Sequence, residues 1–127
     1  MNNDMSSTPA HILIVEDEDD VRTFFVRAFE RLIPDVQITA ACSGTEALDA
    51  VQQYMYDLII SDHRMAGMTG TDLVKAIRTQ SINVPIVMIS ADATIREQAR
   101  QVGVNEFFHK PVTLIQLRQI IDRWLPL

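Results

Sequence analysis

The stretch Asp57-Leu58-Ile59-Ile60-Ser61-Asp62 decides the fold of this chain. Its apolar centre is typical of a strand that is buried on both faces, as in a parallel sheet. Ligands of open α/β sheets bind just beyond the carboxyl ends of the strands, which is where Asp62 stands. Asp62 is therefore either the cap of the following helix or a functional carboxylate, and the rest of the sequence distinguishes these roles.

Apolar, strand-like runs alternate with helical patterns along the rest of the chain. We predict five strands, and the other four cover residues 11–15, 36–41, 83–90 and 105–108. A helix is predicted after each strand. Strict alternation predicts one parallel sheet with helices on both faces, because each crossover must be right-handed.

Helix starts and buried faces follow from local patterns. Ser43 with Glu46, and Thr69 with Asp72, have the spacing of capping boxes and predict the starts of the second and third helices. Two helical stripes are predicted to face inward, and they consist of Val21, Phe24, Phe25, Ala28, Phe29 and Leu32 in the first helix and Leu114, Leu117, Ile120, Ile121 and Trp124 in the last.

Composition limits the class of protein. The 127 residues are 47% hydrophobic and 22% charged, which is typical of a single soluble domain. The net charge of −6 argues against direct binding to nucleic acid or to an anionic membrane. No apolar run approaches the roughly 18 residues of a membrane span, and the single cysteine, Cys42, fits a reducing cytoplasm. We expect a disordered leader over residues 1–9 and a cytoplasmic domain over residues 10–125.

One edge of the predicted sheet gathers five polar side chains. Glu16 and Asp17 follow the first strand, Asp62 the third, Ser90 the fourth and Lys110 the fifth. Crowded carboxylates repel each other, and a hard divalent cation with oxygen ligands, above all Mg²⁺, relieves that repulsion. A cation, a lysine and a hydroxyl around one carboxylate suit phosphoryl transfer, with Asp62 as the nucleophile that forms an acyl phosphate.

These residues also carry a family resemblance. The elements are Glu16-Asp17, Ser61-Asp62 with Gly70 eight residues further on, Ser90-Ala91 and Lys110-Pro111, each at a predicted strand end. In this order they resemble the receiver domain of bacterial two-component response regulators over residues 10–124. The resemblance implies a three-layer, doubly wound (βα)5 flavodoxin-like fold with strand order 2-1-3-4-5.

The resemblance also implies roles for the site residues. Asp62 would accept a phosphoryl group from a phosphohistidine on a sensor histidine kinase or a histidine phosphotransfer protein. Asp17, Asp62 and the backbone carbonyl of Arg64 would bind Mg²⁺ (or Mn²⁺). Glu16 would help directly or through water, and Lys110 would pair with the phosphoryl oxygens.

A switch is implied as well. Ser90 would move to hydrogen-bond the phosphoryl group, Phe107 would follow it inward, and the α4-β5-α5 face would change for a downstream protein, a fused output domain or a homodimer partner. Phe107 could equally be plain core filling. The Lys110–Pro111 peptide bond is expected to be cis.

Three positions depart from the common family pattern. Ala66 stands where proline is frequent, which predicts a more mobile loop after the acceptor. Glu16 stands where aspartate is frequent, which favours a water-mediated metal contact. Arg64 lies two residues after Asp62, and we hypothesise that it pairs with Asp92 and shields the acyl phosphate from water.

Two other functions are weighed against this interpretation. A degenerate receiver would bind proteins without phosphorylation, but the acceptor, the acids, the hydroxyl and the lysine are all present. An aspartyl-phosphate hydrolase of the haloacid dehalogenase type would have an acid two residues after the nucleophile, where this chain has Arg64. We therefore predict a phospho-acceptor switch rather than an enzyme that acts on a released substrate.

Overall fold

The computed structural model describes residues 8–126. Most of the predicted leader, residues 1–7, lies outside the described residues. The strands are β1 (His11–Val15), β2 (Gln37–Ala41), β3 (Leu58–Ser61), β4 (Ile86–Ser90) and β5 (Glu106–His109). The helices are α1 (Asp19–Leu32), α2 (Gly44–Gln53), α3 (Gly70–Thr79), α4 (Arg96–Val102) and α5 (Leu114–Trp124), with a short 3₁₀ turn (Ala93–Ile95) before α4.

The sheet is parallel throughout and has the order β2-β1-β3-β4-β5, which confirms the predicted fold class. Val15 pairs with Ser61 at the carboxyl ends of β1 and β3, and Ser90 pairs with His109 at those of β4 and β5. These registers place the residues after the four strands at one edge of the sheet. None of the helices within residues 8–126 has the length and apolar character that crossing a membrane requires.

Alternate residues of the central strands point to two separate cores. Leu13 and Val15 pack into the layer of α2, α3 and α4, whereas Ile12 and Ile14 pack into the layer of α1 and α5. These side chains are no more than 1% exposed. Burial of each large apolar side chain contributes about 2 kcal/mol to folding, so the rigid centre of the sheet supports the residues at its edge.

Helix caps fix where the helices begin. The predicted box at the start of α3 is complete, with Thr69 and Asp72 bonding reciprocally. At α2 only half of the box forms, because the Glu46 carboxylate accepts from the Cys42 N–H while the Ser43 side chain accepts from the Glu46 N–H. A further complete box, Thr113 with Gln116, starts α5 and was not predicted.

The predicted inward stripes are wrong at Phe24 and Leu114. Phe24 is 48% exposed and Leu114 is 57% exposed. Each lies at the margin of its stripe, while Phe25 and Leu117 take the buried positions against the sheet. Phe24 and Leu114 instead line one surface groove between α1 and α5.

Gly70 brings the start of α3 against the end of β3. A Cβ atom at position 70 would lie 2.1 Å from the backbone oxygen of Asp62, so only glycine permits this approach. The Gly70 N–H donates to the carbonyl of His63 at 2.8 Å and closes the loop over residues 63–69. The family-like spacing of Asp62 and Gly70 therefore has a steric cause.

Candidate functional site

The five predicted site residues lie together at the carboxyl edge of the sheet. Two backbone bonds hold them there: the Asp62 N–H donates to the Val15 carbonyl at 3.1 Å, and the Lys110 N–H donates to the Ser90 carbonyl at 2.9 Å. The predicted cis bond between Lys110 and Pro111 is confirmed. The backbone of the sheet thus places the functional side chains.

Three carboxylates form the acidic centre of the site. One oxygen each from Glu16, Asp17 and Asp62 lies within 4.8 Å of the other two. Glu16 is 1% exposed and Asp62 is 7% exposed, so water screens their charges poorly. Oxygen ligands at this spacing fit a hard divalent cation such as Mg²⁺.

Lys110 supplies the positive charge beside Glu16 and Asp62. Its Nζ lies 3.2 Å from Glu16 Oε1 and 3.2 Å from Asp62 Oδ2. The second Asp62 oxygen, Oδ1, accepts from the His63 N–H at 2.7 Å. One ammonium for three carboxylates leaves an excess of negative charge, which a divalent cation would offset.

The protonation equilibria reflect this imbalance. Burial raises the pKa of Glu16 above its ordinary value, and the charge of Asp62 raises it further, against smaller opposing effects of Lys110 and the Glu18 N–H. Burial by itself lowers the pKa of Lys110, but the charges of Asp62 and Glu16 outweigh it and the net pKa is raised. Lys110 therefore stays protonated at neutral pH.

Ser90 and Phe107 occupy different environments. Ser90 is fully buried, and its Oγ accepts from the Asp92 N–H at 3.1 Å. Phe107 is half-buried on β5, and the guanidinium carbon of Arg96 lies 4.7 Å from the centre of its ring. This distance is within the range of a cation–π contact, which at an exposed site contributes about 0.5–1 kcal/mol.

Arg64 and Asp92 form an ion pair between the loops that follow β3 and β4. Arg64 Nη2 lies 3.5 Å from Asp92 Oδ2, with the arginine side chain 79% exposed and that of the aspartate 23% exposed. Hydrogen bonds from Thr94 lower the pKa of Asp92, and Arg64 adds to that effect. Asp92 is therefore ionised and able to hold Arg64.

The structure adds one contact that sequence reasoning missed. The Ala66 N–H donates to Asp17 Oδ2 at 3.2 Å. The only signal in the sequence was the lack of proline at position 66, which had suggested loop mobility. Here the same feature provides a donor to one of the three acids.

A parallel α/β sheet with this acidic cluster, a partly buried lysine and a buried serine at its carboxyl edge defines the class of two-component response regulator receivers. The sequence matches the response regulator receiver domain over residues 12–122. The chain therefore belongs to the response regulator receiver family, whose members are signalling switches. It spans nearly the whole length of the relatives described next.

Three relatives illustrate the match. The chemotaxis protein CheY of Pseudomonas aeruginosa is 35% identical over 120 residues, which cover 88% of this chain and 93% of that protein. The response regulator TrrA of Thermotoga maritima, solved with Mg²⁺ and BeF, is 25% identical with a TM-score of 0.83 and coverage of 91% and 99%. The receiver domain of the sensor histidine kinase PA1611 from Pseudomonas aeruginosa, solved with magnesium in its active-site cleft, is 28% identical with a TM-score of 0.83 and coverage of 92% and 98%.

Proposed function

We propose that this receiver accepts a phosphoryl group on Asp62 in a Mg²⁺-dependent reaction and thereby switches its surface for a partner. One observation carries the proposal. The carboxylate of Asp62 lies 3.2 Å from the Lys110 ammonium, and two further carboxylates have oxygens within 4.8 Å of it. This is the charge distribution that phosphoryl transfer to a carboxylate needs.

The chemical step uses an oxygen of Asp62 as the nucleophile. That oxygen attacks phosphorus in line, the new O–P bond forms, and the P–N bond to the histidine of the donor breaks with its electron pair leaving on the imidazole nitrogen. Lys110 stabilises the charge on the equatorial phosphoryl oxygens. The product is an acyl phosphate on Asp62 and a free histidine on the donor.

A divalent cation would be held by Asp17, Asp62 and the backbone carbonyl of Arg64, with Glu16 contributing directly or through water. When bound, the cation would neutralise part of the charge on the phosphoryl group. Mg²⁺ is the proposed ion, and Mn²⁺ also suits oxygen ligands. Magnesium in the structures of TrrA and of the PA1611 receiver supports this assignment.

The proposed switch links Ser90 to the α4-β5-α5 face. The Ser90 hydroxyl would donate to the phosphoryl group, and Phe107 would move inward and leave the guanidinium of Arg96. On the same face, Glu106 of β5 accepts from Trp124 Nε1 of α5 at 2.7 Å and also pairs with Arg123. A shift of β5 would therefore change the contact of Phe107 with α4 and that of Glu106 with α5.

Arg64 and Asp92 would set the lifetime of the acyl phosphate. Arg64 lies two residues after Asp62, and its Nη2 is 3.5 Å from Asp92 Oδ2 in the loop after β4. Because the Arg64 side chain is mostly exposed, solvent screens the pair and it is a weak barrier. We propose that it slows attack by water without blocking the phosphodonor.

The proposed partners are a phosphorylated histidine kinase or histidine phosphotransfer protein upstream, and a downstream protein, a fused output domain or a second copy of this chain. We propose that the upstream partner docks on the groove between α1 and α5. Phe24 and Leu114 line this groove, and Leu114 follows Lys110 of the site by four residues in the sequence. Arg27 and Arg31 line the same groove with one acid, Asp20, so the charge of its lining is positive and suits an acidic partner surface. A cytoplasmic location, without direct binding to membrane or nucleic acid, remains our prediction.

Intact-mass analysis after incubation with acetyl phosphate tests the proposal. We expect one phosphoryl adduct with Mg²⁺ and a loss of at least about 100-fold in its rate of formation with EDTA, since the ion supplies several kcal/mol of transition-state stabilisation. If no adduct forms with Mg²⁺ or with Mn²⁺, the proposal is wrong. The chain would then be a degenerate receiver that binds proteins constitutively.

A further inference from the structure

The three carboxylates of the site are held by different parts of the molecule. Lys110 holds Glu16 and Asp62 from the end of β5. Glu16 Oε2 also accepts from the Glu18 N–H at 3.2 Å. Asp17 is held instead from the loop after β3, through the N–H of Ala66.

That loop is anchored on both sides of Ala66. Before it, Met65 is only 8% exposed and belongs to the core beneath α2 and α3. After it, Met68 packs against the start of α2 so closely that a Cβ atom at Gly44 would lie 2.8 Å from the Met68 sulfur. The backbone at position 66 is therefore held in place and does not depend on the Asp17 bond for its position.

The bond exists because residue 66 is not a proline. Proline has no backbone N–H, so a chain with proline at this position could not donate to Asp17. The bond engages Oδ2 of Asp17 and leaves Oδ1 available to a cation. Donors of this kind orient metal-binding carboxylates, and their loss typically weakens metal binding by about 10-fold or more.

We propose that the Ala66 N–H is a positioning group that orients the Asp17 carboxylate for the divalent cation. The inference rests on the proposed Mg²⁺ site. The same loop carries Arg64, whose carbonyl is a proposed ligand and whose side chain pairs with Asp92.

Calorimetric titration with Mg²⁺ alone, on the whole chain and without phosphodonor, tests this role. Ala66→Pro removes the N–H, and Ala66→Ser is the matched control that keeps it. We expect Mg²⁺ to bind Ala66→Pro about 10-fold more weakly than wild type, because the donor to Asp17 is lost. The affinity of Ala66→Ser, which keeps the donor, should lie within about twofold of that of wild type. Equal affinity in Ala66→Pro and wild type, or an equal loss in Ala66→Ser, would overturn the inference.

Amide hydrogen exchange provides a second test that needs no proline. Without metal, we expect the Ala66 amide to exchange about 10-fold faster in Asp17→Ala than in wild type, because an opened hydrogen bond loses its protection. The Gly70 amide, which donates to His63, should be unchanged. Equal Ala66 exchange in the two proteins would contradict the inference. Failure of wild type to bind Mg²⁺ would refute both this inference and the proposed function, whereas unaltered binding in Ala66→Pro refutes this inference alone.

Discussion

The two ends of β3 carry aspartates in opposite situations. At the amino end, Asp57 is exposed and its Oδ2 accepts from the His11 N–H at 2.8 Å. At the carboxyl end, Asp62 is 7% exposed and lies beside Glu16 and Asp17. The same residue type on the same strand is a solvated hydrogen-bond acceptor at one end and a crowded, buried charge at the other.

At the amino end, neighbouring side chains contact His11. His11 Nε2 lies 2.9 Å from Thr39 Oγ1, and the His11 ring packs 4.4 Å, centre to centre, from Tyr56. At the carboxyl end, one ammonium faces three carboxylates. The comparison indicates that a reactive carboxylate needs an excess of like charge in a buried environment. Of the two ends of β3, the carboxyl end has this property.

The largest expected effect, on the rate of phosphorylation, comes from removing the positive charge at the carboxyl end of β3. Lys110→Met should slow phosphorylation of Asp62 by acetyl phosphate by about 100-fold, since it removes a charge that stabilises the transition state. The same change should tighten Mg²⁺ binding, because a repelling cation is gone. Stopped-flow phosphorylation and Mg²⁺ titration measure the two effects. Parallel loss of both would indicate misfolding rather than the proposed role, and Lys110→Arg, which keeps the charge, should retain more activity.

A smaller effect is expected on the free energy of unfolding, where substitutions at the two ends of β3 should differ. The pKa of Glu16 is raised above its ordinary 4.5, so its stabilising contribution is present below pH 4.5 and is lost as pH rises through the folded-state pKa. At pH 7 without metal, Glu16→Gln should therefore raise the free energy of unfolding. Asp57→Asn should change it by less than about 0.5 kcal/mol, since it is a surface substitution and the new amide oxygen can still accept from His11.

Urea unfolding in EDTA at pH 7 and pH 4 checks this pair. The advantage of Glu16→Gln should shrink at pH 4, where Glu16 is protonated in both the folded and the unfolded state. Lower stability of Glu16→Gln than wild type at pH 7 would mean that the ion pair with Lys110 outweighs burial.

The smallest effect is expected on the lifetime of the phosphorylated form and concerns the Arg64–Asp92 pair. Arg64→Ala should shorten the lifetime of the phosphorylated protein by about 2- to 5-fold, in keeping with the energy of an exposed ion pair. Loss of phosphate from the purified adduct measures it. Asp92→Ala should have a similar effect, and the double variant should be no faster than either single one if the two residues act together. An unchanged lifetime in Arg64→Ala would refute the shielding role.

Much of this comparison could be predicted from the sequence. Alternating strands and helices predict the parallel sheet, and the sheet brings Glu16, Asp62 and Lys110 to one edge. The strand order came from the family resemblance, because periodicity along one chain does not determine which strands are neighbours.

Features that depend on packing could not be predicted. Phe24 and Leu114 match the helical period, but how far a sheet extends beneath a helix is a property of the assembled layers. The bond between Ala66 and Asp17 joins two loops, and its donor is a backbone group that every residue except proline carries. The sequence predicts which side chains reach the site but not which backbone groups orient them.

The central claim is that phosphorylation occurs on Asp62, at the carboxyl end of β3 where three carboxylates lie together. Intact-mass analysis of wild type, Asp57→Asn and Asp62→Asn after treatment with acetyl phosphate and Mg²⁺ tests it most directly. The account predicts a single adduct in wild type and Asp57→Asn and none in Asp62→Asn. An adduct that persists in Asp62→Asn, or that disappears only in Asp57→Asn, would contradict it.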